Sequence, residues 1–301
     1  SLIHKMCIRD RYLTGTETLS LVFLWLACLA WVAFAANFVV RLLGQRERWA
    51  AEARSPGALT AVAATTVLGT RISAFGWQRL AGASLALAAL LWPVLLVLVV
   101  RHWKSRMPGA VFLCCVATQG LAVLAATLAA ATTTAWLARA AMVLFWLGLV
   151  LYGIALPHFD LRQVLEGPGD QWIAGGALAI SALAGAKLLS ADSARLYLWN
   201  DDDRGVLRDA TVVLLALDLA WYLVLLAAEV ARPRLGYDTR RWATVFPLGM
   251  TAAATLSVVA AVGGAWLREP GRVLVWVAVA AWLVVAAGAA LAARPGFSRA
   301  G

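Results

Sequence analysis

Nine apolar runs separated by polar connections divide the sequence, at about residues 18–40, 57–76, 80–101, 109–132, 134–157, 171–190, 210–231, 241–264 and 272–293. Each is close to the roughly 20 residues a helix needs to cross a hydrocarbon core of about 30 Å. The runs differ in girth. LSLVFLWLACLAWVAFAANFVV, LALAALLWPVLLVLVV, MVLFWLGLVLYGIALP and VVLLALDLAWYLVLLAAEV are rich in Leu, Phe and Trp. GALTAVAATTVLGT, VFLCCVATQGLAVLAATLAAA, WIAGGALAISALAGAKLL and the run from Trp242 to Gly264 are mainly Ala, Gly, Ser, Thr and Val, and VLVWVAVAAWLVVAAGAAL closes the series with intermediate bulk. Slim helices let backbones approach closely and collect inside membrane bundles, while bulky ones face lipid. The alternation predicts an all-α integral membrane protein of antiparallel hairpins, each pairing one inner and one outer helix, arranged as a ring around a central pore. The same small surfaces also suit a compact bundle with no passage.

Composition agrees with the pattern: 62% of residues are apolar and 14% charged, against about half apolar in soluble domains. The net charge of +10 does not indicate nucleic acid, because the basic residues are scattered among connections rather than gathered on one soluble face. Alternate connections hold fourteen basic residues on one side and eight on the other, where Asp201, Asp202 and Asp203 partly offset them. The positive-inside bias makes the richer side cytoplasmic and the C-terminus with it, in the inner (plasma) membrane. Residues 1–12 fit none of this: SLIHKMCIRDR shows no apolar period and resembles translated sequencing adapter. It is set apart as a non-native segment, leaving 13–301 as a single transmembrane domain. Cys7, Cys28, Cys114 and Cys115 make no C-x-x-C pair, His4, His102 and His158 are isolated, and no H-E-x-x-H, G-x-S-x-G or phosphate-binding loop occurs. No enzyme, metal site, cofactor or nucleic-acid partner is expected.

The candidate chemistry centres on RRWATVFPLGMTAAATLSVVAAVGG, Arg240 to Gly264. Phe246 is followed at once by Pro247, which removes an amide donor and kinks the helix. A bulky ring beside a bend, on an otherwise slim helix, is the candidate obstruction of a passage. Gly249, Ala253 and Ser257 follow it at three- or four-residue steps and share one face. Thr65, Thr66, Thr118, Gln119 and Ser181 on the other slim runs, with Thr251 and Thr255, are candidate pore-lining groups that could replace an anion's hydration. Each hydroxyl could equally bond a carbonyl one turn back in its own helix. Lys187 and Arg71 are candidates for attracting anions at one mouth, or snorkel to the interface. Asp218 lies two turns inside a bulky span, where a carboxylate must pair, face protein or take up a proton. It is the candidate for proton coupling.

TTVLGTRISAFG, FLCCVATQGLAVLAA, ALAGAKLL and above all WATVFPLGM resemble the tellurite-resistance/dicarboxylate transporter family, which includes bacterial tellurite-resistance permeases and the guard-cell slow anion channels. The resemblance implies ten helices in five hairpins around a pore, commonly as homotrimers, with a phenylalanine on the ninth helix occluding the path. That residue falls on Phe246, with Pro247 as its kink. The family's first helix has no counterpart here, so nine of ten are expected. The resulting expectation is a channel for small anions gated by Phe246. The alternatives are a carrier for C4-dicarboxylates or tellurite-type oxyanions, proton-coupled through Asp218, and a membrane structural subunit or inactive fragment.

Overall fold

The computed structural model describes residues 14–192, 199–232 and 238–292. The segment 1–12 set apart above, with Cys7, lies outside them. The helices are α1 (Thr14–Gly44), α2 (Arg46–Ala53), α3 (Thr60–Ala74), α4 (Gln78–Val100), α5 (Leu113–Thr132), α6 (Ala135–Ala155), α7 (Gln163–Glu166), α8 (Trp172–Ala191), α9 (Asp201–Ala231), α10 (Trp242–Val262) and α11 (Arg268–Ala292). Strand pairing among the described residues is limited to a bridge between Met107 and Phe159.

Eight of these helices are long and apolar enough to cross a membrane: α1, α4, α5, α6, α8, α9, α10 and α11. The run at 57–76, expected as a ninth, is shorter. Its α-helix has 15 residues, a rise of only about 22 Å. Pro56 and Gly57 open the stretch as a 3₁₀ turn, Pro56–Leu59, and Gly76, at φ +85°, closes it. Only with that turn, at about 2.0 Å per residue, does the stretch approach the width of the hydrocarbon core.

Girth sorts the spans as the sequence predicts. Residues buried within the protein make up 94% of the apolar window of α5 and 89% of that of α8, but none of those of α1 and α11. Glycines set the approach. Gly120 of α5 lies directly against the Thr66 hydroxyl of α3, and Gly185 of α8 against the Thr211 hydroxyl of α9, so a methyl at either glycine would overlap the oxygen.

The slim helices form a row in which α3 packs on α5, α5 on α8 and α8 on α10, each backed by its bulkier partner α4, α6, α9 or α11. α1 touches α3 at one end of this row and α11, the partner of α10, beyond the other. Its Trp31 indole donates to Thr65 Oγ1 at 2.9 Å on α3, and its Phe23 ring meets Trp282 of α11 edge-on at 5.1 Å.

The slim helices also start at the same end. Gly109, just before α5, presses on the Asp170 carbonyl just before α8. Gly169 in turn sits against the Arg240 carbonyl and the Thr244 hydroxyl at the start of α10. The turn leading into α3 packs on the one leading into α5. Two backbone bonds tie the neighbouring connections together: Met107 N–H donates to the His158 carbonyl at 2.8 Å, and Asp160 N–H to the Met107 carbonyl at 3.0 Å.

Candidate functional site

The site is built around the proline inside α10. Pro247 lies inside the helix and has no N–H, so the carbonyl of Ala243 four residues earlier has no intrahelical partner there. The proline seats against α8 at Gly176: a Cβ built on that glycine would lie 2.9 Å from Pro247 Cγ and 3.1 Å from its Cβ. Any other residue at 176 would force the two helices apart at the bend. Phe246 is half-buried and packs against the main apolar core. One helical turn along, Gly249, Ala253 and Ser257 are all half-buried, on a helix about half of whose apolar window is buried. A side chain at Gly249 would meet nothing within 4 Å. The three- and four-residue steps put Gly249, Ala253 and Ser257 along one side of α10. The helix ends at Gly263 and Gly264, whose φ of +93° and +103° suit glycine.

Asp218 is the second component. The buried stripe of α9 runs Leu207, Thr211, Leu214, Leu215, Asp218, Tyr222, Leu225, steps of three and four that point one face at protein. Asp218 is fully buried. Its Oδ1 accepts a hydrogen bond from Thr251 Oγ1 of α10 at 3.1 Å, while Oδ2 is buried without a partner. Gly175 leaves room for this carboxyl and for Trp221, whose indole N–H is likewise buried without a partner. Of the roles open to a carboxyl at this depth, the structure shows it facing protein and half-satisfied.

The polar groups expected to line a pore go mostly elsewhere. Thr65 Oγ1 donates to the Ala61 carbonyl at 2.7 Å and accepts from Trp31. Thr118 Oγ1 donates to the Cys114 carbonyl at 2.8 Å and accepts from Trp92 of α4 at 2.9 Å. Gln119 Nε2 donates to the Phe145 carbonyl of α6 at 2.9 Å, reached across Gly148. These three turn toward outer helices, where half-buried indoles and a buried helical carbonyl take up their bonds. Thr66 and Ser181 bond the carbonyls of Ala63 and Ala177 in their own helices at 2.9 and 2.7 Å. Ser181 also lies 3.7 Å from the Cys115 thiol, at the contact of α5 with α8. The structure thus joins Phe246, Pro247, Gly249, Ala253 and Ser257 on α10, and Asp218 with Thr251. Gly176 and the pairing across α9 and α10 escaped sequence reasoning, although the Gly175–Gly176 doublet signals close backbone approach.

The two ends of the bundle differ. Lys187 is half-buried near the C-terminal end of α8, and the Arg71 guanidinium lies 4.9 Å from the centre of the Phe75 ring near the end of α3. At the opposite end, where the slim helices start, Arg241 pairs with Glu229 at 2.6 Å. Asp238 accepts from the Arg240 backbone N–H at 2.8 Å. That bond and the Arg240 side chain hold its carboxyl below the usual range. Burial pushes the Asp170 carboxyl up, against the pull of Arg240. Among the described residues no group of His, Cys, Asp and Glu is placed to hold a metal ion.

Comparison with known proteins adds the family. The SLAC1 family, described as voltage-dependent anion channel, matches residues 2–290. Two uncharacterized membrane proteins of Mycobacterium tuberculosis, MT1776 of strain CDC 1551 / Oshkosh and Rv1735c of strain ATCC 25618 / H37Rv, are each similar at 33% identity over 119 residues, or 38% of this chain. The chain spans 58% of the length of these curated relatives. No solved structure matches.

Proposed function

The chain belongs to the SLAC1 voltage-dependent anion channel family, and from that premise we propose an anion-transport membrane protein with a passive path for small anions along the slim helices, shut by Phe246. The observation that carries the reading is the half-buried ring placed immediately before Pro247, on a helix where Gly249, Ala253 and Ser257 are half-buried and a Cβ at Gly249 would meet nothing within 4 Å. A ring at a bend can swing with its single turn of helix while the body of α10 stays packed. Opening then requires no rearrangement of α5 or α8.

Electrostatics favours anions at the end where the slim helices start. Each helix N-terminus carries roughly half a positive charge, and α3, α5, α8 and α10 bring theirs to one end. The connections there are also the more basic set. On the positive-inside bias this end is cytoplasmic, as is the C-terminus, and the membrane is the inner one. Lys187 and Arg71 would attract anions at the far mouth. The family resemblance supports a homotrimer with each chain holding its own path, and one continuous domain over residues 13–301.

The test is Phe246→Ala in liposomes, read as chloride or nitrate efflux. A several-fold rise at equal incorporation is expected. Efflux at the parent level would remove Phe246 from the gate. A second reading, a proton-coupled carrier of C4-dicarboxylates or tellurite-type oxyanions, is favoured by the unpartnered Oδ2 of Asp218. It requires uptake that follows an imposed pH gradient and loses that dependence in Asp218→Asn.

A further inference from the structure

We propose that the Asp218–Thr251 hydrogen bond is a latch between α9 and α10 that sets the resting position of Phe246; this rests on the gate reading above. Thr251 is spaced one turn beyond Pro247. Its hydroxyl is used differently from most others on the slim helices, Ser73, which donates to Gln78 of α4, being another exception. Thr65, Thr66, Thr118, Ser181 and Thr255 each donate to a carbonyl of their own helix, whereas Thr251 donates across to another helix.

The placement has a mechanical consequence. Because Pro247 interrupts the hydrogen-bond ladder, the turn Trp242–Phe246 is joined to the rest of α10 loosely, and its position depends on where the body of the helix is fixed. α8 and α11 supply most of the packing on α10, and the small residues of α8 let the two backbones approach closely. A directional bond one turn past the hinge fixes rotation about the helix axis, which apolar contacts do not. The pair is also costly. One carboxyl oxygen stays unpartnered in the interior, where two apolar side chains of similar volume would be at least as stable. A half-satisfied pair at this position suits an element that must release.

Asp218 and Thr251 are thus positioning residues that act through Phe246. The experiment measures anion efflux from liposomes holding the full chain, with thermal unfolding as a check on assembly, for Thr251→Val, Thr251→Ser, Asp218→Leu and the Val/Leu double variant, each with Phe246 and with Phe246→Ala. Losing a hydrogen bond to a carboxyl group shifts a two-state balance by about tenfold. Thr251→Val and Asp218→Leu are expected to raise efflux by about that factor, and the double variant no more than either single. Thr251→Ser, which keeps the donor, restores the shut state. In the Phe246→Ala background the latch substitutions add nothing, because the ring they position is gone.

The latch is overturned if Thr251→Val and Asp218→Leu leave efflux at the parent level while Phe246→Ala raises it, or if they raise it equally without the ring. Should Thr251→Val fail to assemble, Asp218→Leu decides by the same criteria. Parent-level efflux in Phe246→Ala instead removes the gate reading, and the latch with it.

Discussion

Gly176→Ala tests the seat of the kink directly. A methyl there would stand 2.9, 3.1 and 3.3 Å from Cγ, Cβ and Cα of Pro247. Carbon atoms rest at about 3.5–4.0 Å, so the helices must separate by roughly 0.5–1 Å at this point. The proline ring can retreat only by a change of pucker, which moves Cγ but not Cα, and Cα belongs to the backbone. The cost is that of overpacking a filled interior, about 1–3 kcal/mol. The displacement is directional, since it pushes α10 off α8 at the bend and carries Phe246 with it. The unfolding midpoint in detergent, followed by tryptophan fluorescence, should fall by several degrees, and resting anion efflux should rise. Pro247→Ala removes the closest of the three contacts, so Gly176→Ala combined with it should lose less stability than the two single changes summed. A Gly176→Ala protein with the parent midpoint and parent efflux would refute both the tight seat and its connection to the ring.

Two further outcomes follow from polar groups away from the kink. Gln119 is fully buried with its amide on the Phe145 carbonyl and its own oxygen unpartnered; Gln119→Leu removes that oxygen at similar volume, so stability should change by less than about 1 kcal/mol, while Gln119→Ala leaves a cavity beside Gly148 and costs more. A large loss in the leucine variant would mean the bond to α6 matters more than its unsatisfied partner. Asp170 has a folded-state pKa above its ordinary value, so the native state binds the proton more tightly than the unfolded one, and stability falls as pH rises from the ordinary carboxyl range through the raised value. Asp170→Asn should flatten that part of the melting-temperature profile, and an unchanged slope would place its origin elsewhere.

The girth of the spans was legible because it depends on composition alone, and composition decides how closely helices approach. α5 and α8 could be marked as interior from their Ala and Gly content before any contact was known. The interior position of Pro247 and the helical spacing of Gly249, Ala253 and Ser257 were likewise readable, since helical period is local. The full span at 57–76 was not. Hydropathy counted its residues without registering that Pro56–Gly57 and Gly76 trim the α-helical part to 15. The directions of Thr118 and Gln119 were hidden for a different reason. On a helix that is buried on every side, period cannot distinguish one neighbour from another, and the deciding partners, Trp92 and the Phe145 carbonyl, lie on other helices. Asp218 was visible as an anomaly, but its bond to Thr251 joins positions 33 residues apart through a crossing that no local pattern encodes.

The outward turn of those polar groups bears on how an anion would be stabilised along the proposed path. Thr65 and Thr118 already donate to carbonyls of their own helices and accept from tryptophans, so neither hydroxyl hydrogen is free for a passing ion unless its bond to the carbonyl one turn back breaks first. The favourable field must then come mainly from the gathered N-termini of α3, α5, α8 and α10, whose dipoles fade within about a turn. An anion would be well held at that end and poorly held further in, where the slim helices offer methyl groups and Phe246 stands at the near edge of the apolar stretch. Placed there, the ring opposes entry at the step where the ion leaves its last strong partners. Swinging it aside exposes no new charge and removes only a steric block. Selection among anions on this arrangement follows the cost of shedding water, with weakly hydrated ions such as nitrate passing more readily than strongly hydrated ones, because the interior supplies few donors to replace what is lost.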